Sequence, residues 1–527
     1  MGTFDSIDES VIKELDDKRA VMLLHDLIYA EVKRLSISTD MISVPYEVDT
    51  PDGGIDAVVK TGDFTTDGDA IIFEGDTYYQ VKSGSKVTFT DNGMEDVLCE
   101  DKKKGASTRN LKPKIRQIAE SNGTLVLFLT GKSAPKIEDA VTIAKTVIKR
   151  HVPNTTLSVR IIQAENILAM LDRYLSLRLK LLKIRDFTGR TFDEWSDLGN
   201  MSNYLEADER RTAMIEAIRS LVRSNEQNDK EVRVIGYPGI GKTRSVLEAL
   251  RAEDLSPLVI YFDRPSPVLE TNFLTQLDAR YENEAIIVVD ECDPLSRTQL
   301  SAALASAKSN VKLVTIYNEE YGVTNGVKVV NLNEGERLST ESIVAIMKDY
   351  QLPDDVAKRW EPFCDGSPRV AHMIAENLSN DSGDILADPS YDRAMERMLT
   401  NTDKIDSDAF KKRRTVISWL ALFHKFGWSN EFADERKFIL HKIMQKTNYS
   451  EQDIEDEINE LKKRKVLQGD KTLYISPRLL HIRAWVWWWE QNGSSFDLNT
   501  MKQVAYNGET TAMSNELYDW YTQMFEN

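Results

Sequence analysis

The 527-residue sequence predicts a multidomain α/β protein. Three observations lead there. Strand-like and helical segments alternate over residues 1–165, and a second alternation from residue 206 opens on a glycine-rich turn between a strand and a helix. The rest of the chain is helical apart from one late β-like run. At roughly 150 residues per domain, the length suits three or four domains. Hydrophobic residues make up 41% and charged residues 29%, enough for ordinary cores. The net charge of −18 argues against a surface that coats nucleic acid or anionic membrane as a whole. No apolar run reaches the roughly 18 residues of a membrane span, and the acidic start is unlike a signal peptide. Cys99, Cys292 and Cys364 are too few and scattered for a disulfide framework or a zinc site. The expectation is a cytoplasmic protein without membrane contact.

Each element follows from local pattern. Leu24, Leu27, Ile28 and Leu35 recur at helical spacing within 10–35. Strand-like runs follow at 41–48, 55–59, 70–73 and 77–82, punctuated by PDGG and EGD turns. A strand at 124–130, a helix near 135–151 and a strand near 155–162 complete a first α/β domain, residues 1–165. Residues 166–205 read as a helical linker. Within 206–335, VRVI, LVIYF (258–262), AIIVVDE (285–291) and VKLVTIYN (311–318) are strands of a doubly wound parallel sheet. Residues 336–402 form a small helical domain. Residues 403–490 give three helices and then KTLYIS (471–476), the outline of a winged helix. Residues 491–527 hold no repeat and read as the start of a truncated C-terminal sensor region.

The sharpest motif is Gly236-Tyr-Pro-Gly239-Ile-Gly241-Lys242-Thr243, which fits G-x-x-x-x-G-K-[ST] at every position. Glycines let backbone N–H groups face phosphate, and the following helix N-terminus adds positive charge. Lys242 is placed to reach the β/γ-phosphates of ATP, and the Thr243 hydroxyl to hold Mg²⁺. Downstream, AIIVVDE ends in Asp290, placed for the metal's water shell, and Glu291, placed to polarise the attacking water. Asn318 ends the next strand, where a polar side chain can sense the γ-phosphate.

With Gly366-Ser367-Pro368 inside FCDGSPRVAHMIAENL, this unit resembles the STAND class of signalling P-loop ATPases over about residues 200–490. The resemblance implies a switch in which ADP holds a closed monomer and ATP permits an oligomer. It also places Pro368 beside the nucleotide, with Arg369 as its neighbour.

In the first domain, Gly53-Gly54-Ile55-Asp56 precedes Tyr79-Gln80-Val81-Lys82. On a strand Gln80 and Lys82 share one face, and Asp56 starts a neighbouring strand. An acid, a second oxygen ligand and a lysine that orients or deprotonates water make a hydrolytic set suited to Mg²⁺. Asp56, Gln80 and Lys82 match D…QxK, and the domain resembles the restriction-endonuclease-like PD-(D/E)XK superfamily in its Mrr-like branch. That family adds a first-helix glutamate. Glu31 fits this role because it shares the face of Leu24, Leu27 and Ile28; Glu47 is a weaker candidate. Glu31, Asp56 and Gln80 are thus the implied metal ligands of the nuclease site, and Thr243 and Asp290 those of the ATP site.

Residues 102–116 carry seven Lys or Arg and no acid, a patch able to neutralise DNA phosphates without base readout. KKRR (411–414) and KKRK (462–465) add charge in the winged-helix region, and WVWWW (485–489) reads as a packed helix. The six histidines show no ligand spacing.

The combination resembles bacterial antiviral STAND proteins. It implies an ATP-switched homo-oligomer, a tetramer by resemblance, that cuts double-stranded DNA once a phage protein is recognised. The recognising segment would be missing from the chain or carried by a separate protein. A second reading is a nucleotide-controlled regulator that docks its winged helix on DNA and does not cut.

Overall fold

The computed structural model describes residues 8–44, 54–60, 71–84, 87–101, 108–182, 187–198, 209–226, 230–236, 239–271, 273–278, 283–305, 310–318, 327–332, 338–364, 366–380, 398–399, 407–469 and 471–493. Glu47, the triple lysine of the basic stretch, and the expected sensor start beyond residue 493 lie outside them. Among the described residues no helix is long and apolar enough to cross a membrane.

In the N-terminal unit a short helical turn (Glu9–Lys13) precedes helix α1 (Asp17–Leu35), which is started by Asp16, whose side chain accepts from the Arg19 N–H. It lies on a five-stranded sheet of β1 (Ile42–Ser43), β2 (Ala57–Val59), β3 (Thr77–Lys82), β4 (Thr124–Leu129) and β5 (Ser158–Gln163), in that spatial order. The first three strands pair antiparallel and the last three parallel. Helices α2 (Asp91–Leu98), α3 (Pro113–Ser121) and α4 (Ile137–His151) cover the other face. Every residue of β4 is buried, as a strand covered on both faces requires.

Alternation along the strands therefore makes two separate cores. Tyr79, Val81, Val126 and Phe128 pack with Leu24, Leu27 and Ile28 of α1. Leu125, Leu127 and Leu129 pack with Val97, Ile115 and Val147 on the opposite side. Of the strand expected at 70–73, the described residues 71–73 form none. Ile71 and Ile72 are both buried rather than alternating, and the Ile71 carbonyl accepts from the Tyr79 hydroxyl at 2.9 Å instead of from a ladder. The run at 41–48 yields only β1 among the described residues.

Much of the segment expected as a linker, among the described residues, is packed into the folded body. Helices α5 (Ala164–Leu171) and α6 (Leu175–Leu182) place Ile167, Leu171, Tyr174 and Leu177 in the α1 core. Strand β6 (Arg190–Thr191) then joins the edge of the next sheet, and Trp195 stacks flat on Tyr261 at 4.3 Å. The same apolar cluster reaches Val232 and Val246 of the next unit. One continuous core thus spans both α/β units, because apolar spacing persists across the segment taken as a linker.

In that next unit, helix α7 (Glu209–Arg223) precedes β7 (Glu231–Ile235), α8 (Lys242–Leu250), β8 (Val259–Phe262), β9 (Glu284–Val289), α9 (Pro294–Ala305), β10 (Asn310–Tyr317) and β11 (Lys328–Asn331). The sheet order is β11-β7-β10-β9-β8-β6, parallel except for the edge strand β6. The carboxyl ends of β7, β9 and β10 lie side by side, where such sheets place their ligands.

The C-terminal part has one core of its own. Its helices are α10 (Thr340–Asp349), α11 (Asp354–Trp360), α12 (Pro368–Asn380), α13 (Asp408–Leu420), α14 (Ala433–Lys446), α15 (Glu451–Lys463) and α16 (Arg478–Asn492). A small antiparallel sheet β12 (Phe426–Gly427), β14 (Thr472–Ile475), β13 (Leu467–Gln468), in that spatial order, closes it. Trp485, Trp487 and Trp488 are buried, with Trp488 edge-on to Trp419 at 5.3 Å.

Candidate functional site

Two groups of polar side chains stand out, one in each α/β unit. The first is built on the turn between β7 and α8. Gly239 and Gly241 take φ of +84° and +95°, a region that side chains resist. Lys242 opens α8 and is buried; its Nζ donates to the Gly236 carbonyl and to Asn318 Oδ1, both at 2.9 Å. The Thr243 hydroxyl donates to Asp290 Oδ2 at 2.7 Å, and the Tyr261 hydroxyl donates to the same oxygen at 3.2 Å. Glu291 follows in a left-handed conformation, φ +49°, its N–H donating to Asp290 Oδ1 at 2.9 Å. Pro368 Cγ lies 3.7 Å from where a Cβ on Gly241 would stand. All the residues expected around the phosphate loop are therefore together.

Other members come from far along the chain. The Tyr474 hydroxyl, on β14, lies 2.7 and 2.6 Å from the two carboxylate oxygens of Glu291, and 3.2 Å from Gln468 Oε1 on β13. The Ser367 hydroxyl donates to the Gly239 carbonyl at 3.2 Å, and Pro477 Cβ would lie 3.4 Å from a Cβ on Gly239. Arg369 is held in the same place, with Nη2 buried and no hydrogen-bond partner among the described residues. A cationic donor without an acceptor, beside a glycine cradle, fits an anionic phosphate.

Burial dominates the electrostatics. It draws Lys242 down to about 8, against the opposing pull of Glu291 and Asp290. It raises Asp290, and burial together with the Asp290 charge pushes Glu291 up to about 7. A lysine lowered by burial keeps its proton below that value and loses it above. Affinity for ATP is therefore expected to fall as pH rises through about 8. Titration with a fluorescent ATP analogue on either side of that pH checks this, and equal affinity on both sides contradicts it.

The second group lies on the N-terminal sheet. The pairing of Ala57 with Tyr79 sets Asp56 opposite Gln80, so both point to one face. The Asp56 N–H donates to the Tyr79 carbonyl at 2.8 Å, and Asp56 Oδ2 accepts from the Val81 N–H at 2.7 Å. Gln80 is fully buried: its Nε2 donates to the Val97 carbonyl at 3.1 Å, while Oε1 has no partner among the described residues. Lys82, two residues on along β3, shares that face and is half-buried. An orphaned amide oxygen beside a carboxylate is a donor set that suits a hard cation.

Glu31 does not join them. It is buried on the Tyr79 side of the sheet, where it accepts from the Tyr174 hydroxyl and Arg34, with Arg173 at 3.8 Å. The helix face was read correctly as inward, but inward is the opposite side of β3 from Gln80. Among the described residues no three His, Cys, Asp or Glu side chains gather as a metal site.

Lys112 takes a place that was not assigned to it individually. Its Nζ donates to the same Val97 carbonyl as Gln80, at 2.8 Å. Its chain crosses Gly54, where a Cβ would stand 2.6 Å from Lys112 Cδ at a φ of +92°. Membership of the basic stretch was the only sequence signal. For Tyr474 and Gln468 there was none, since 183 residues separate Tyr474 from Glu291.

Four residues of the other basic clusters are engaged internally, while Lys411, Lys463 and Lys465 are exposed. Lys412 pairs with Asp453 at 2.7 Å, Arg413 with Glu457 at 2.9 Å, and Arg414 lies over the Trp487 ring at 4.6 Å. Arg464 pairs with Glu460 at 2.8 Å.

No protein-family model matches the chain, and no curated protein matches it. Solved structures do share parts of its architecture. A Walker-type ATPase of Pyrococcus abyssi is 13% identical with a TM-score of 0.28, over 53% of this chain and 96% of that one. A STAND protein with a tetratricopeptide repeat sensor from Pyrococcus horikoshii is 13% identical with a TM-score of 0.28, over 60% of this chain and 50% of that one. The Orc1 protein of Aeropyrum pernix, solved in complex with DNA, is 11% identical with a TM-score of 0.30, over 57% of this chain and 97% of that one. Likeness at this level carries no functional argument, so function has to be argued from the two sites.

Proposed function

We propose that the chain is an ATP-controlled switch of the STAND kind whose N-terminal unit is a Mg²⁺-dependent endonuclease for double-stranded DNA. The observation that carries the first half is the convergence of Lys242, Thr243, Asp290, Glu291 and Asn318 at the carboxyl ends of adjacent parallel strands. Asp56, Gln80 and Lys82 on one face of a neighbouring sheet support the second half.

Bound ATP would supply the phosphoanhydride, and Mg²⁺ the neutralising charge. Lys242 and Arg369 would offer the phosphates buried cationic donors, which count for more in a desolvated site than in water. Thr243 and Asp290 offer the hard oxygens that would hold the metal. Glu291 is the base placed to take a proton from water, and its raised pKa suits proton exchange near neutral pH. In the N-terminal unit Asp56 and Gln80 Oε1 would hold Mg²⁺, and Lys82 would orient the hydrolytic water. Lys112, whose Nζ reaches the Val97 carbonyl that Gln80 also bonds, and Lys114 and Arg116 on the helix that follows would supply charge to neutralise DNA phosphates.

The single core through α1, α5 and α6 joins the two α/β units that carry the sites, a route by which assembly at one could act on the other. By resemblance, the assembly is a homo-oligomer of about four chains and its trigger a phage protein. The non-cutting regulator is the weaker reading, because Lys412, Arg413 and Arg414 of the C-terminal unit are engaged by its own acids and tryptophan. Binding of ATP by the purified protein, followed calorimetrically, tests the switch. Plasmid integrity in Mg²⁺ tests the nuclease, and intact plasmid despite bound ATP would contradict it.

A further inference from the structure

We propose that Tyr474 is a plug on the hydrolytic glutamate, so that ATP is turned over only when the hairpin of β13 and β14 withdraws from the phosphate loop. The inference rests on the ATP-site reading above and adds a specific residue and contact to it. Glu291 can activate water only through a carboxylate oxygen, and the Tyr474 hydroxyl lies 2.7 and 2.6 Å from both. A phenol has one proton to give; Gln468 Oε1, at 3.2 Å, is the more distant acceptor, and Asn318 also hydrogen-bonds to the hydroxyl. The carboxylate is the nearer acceptor, so the proton goes to it, and the phenol oxygen stands against both carboxylate oxygens. Tyr474 is itself buried, so water does not compete for the contact.

The rest of the interface holds the plug in place. Pro477, two residues beyond β14, packs toward Gly239, and Ser367 ties α12 to the same glycine through its carbonyl. Both C-terminal elements thus sit on the phosphate loop at one point. A hydroxyl that merely oriented Glu291 would bond one carboxylate oxygen, whereas this one is within hydrogen-bond reach of both.

The test compares wild-type protein, Tyr474→Phe, and Tyr474→Phe combined with Glu291→Gln. Phenylalanine keeps the buried ring and removes only the hydroxyl, so the fold is expected to persist. Because a general base contributes about 10²–10⁴-fold, freeing it is expected to raise kcat for ATP by at least ~10-fold, and Glu291→Gln is expected to abolish the gain. A second readout needs no nucleotide: hydrogen exchange of residues 467–475 is expected to quicken in Tyr474→Phe. Unchanged kcat and exchange, or a lower kcat, overturns the proposal; a lower kcat would make Tyr474 a positioning residue for Glu291. Binding of a fluorescent ATP analogue is measured on the same samples. If no form binds it, the ATP-site reading fails and the plug fails with it; if all bind and none turns over, only the plug fails.

Discussion

Lys242→Ala is expected to weaken ATP binding by ~100-fold or more, because removing one partner of a buried charge pair costs roughly 2–5 kcal/mol and each 1.4 kcal/mol is tenfold. The side chain is buried at the start of α8, and its Nζ is already aimed into the loop through Gly236 and Asn318. Alanine leaves the helix intact, since it is the best helix former, so the fold is expected to be retained. It removes the lysine charge that faces the phosphates, leaving Arg369 without its partner cation. Titration calorimetry with ATP measures the effect. Affinity equal to that of the wild type would mean that the glycine turn holds no phosphate.

Asp56→Ala is expected to abolish DNA cleavage, by ~1000-fold or more, since metal-assisted charge stabilisation at such sites amounts to several kcal/mol. ATP affinity is expected to stay at the wild-type level. Asp56 shares the face of Gln80, and Glu31, spent on Tyr174 and Arg34 behind the sheet, cannot replace it. The loss is therefore expected to be complete rather than partial, and Glu31→Gln is expected to leave metal dependence unchanged. Supercoiled plasmid run on a gel reads both variants. Cleavage that survives Asp56→Ala would place the chemistry elsewhere.

What could be read from sequence was what is local. The phosphate loop is contiguous, its strand and helix follow from adjacent residues, and Asp290-Glu291 ends an apolar run whose carboxyl end must open on the same edge of the sheet. Asp56, Gln80 and Lys82 were legible because period-two geometry fixes their face. Glu31 shows the boundary. Helical spacing placed it inward, but which side of β3 counts as inward is decided by the packing of α1 against Tyr79 and Phe128.

Tyr474 was invisible for a related reason. In KTLYIS it looks like one more buried β-residue, and its partner lies 183 residues away. The supposed linker failed in the other direction: its apolar positions were visible, but helical spacing alone does not say which body they bury against.

The most direct test is plasmid integrity with wild-type protein and Mg²⁺, with and without ATP. The expected result is cleavage that requires ATP and disappears in both Lys242→Ala and Asp56→Ala. Cleavage at the same rate without ATP, or intact plasmid while ATP is demonstrably bound, would contradict a nuclease governed by the phosphate-loop site.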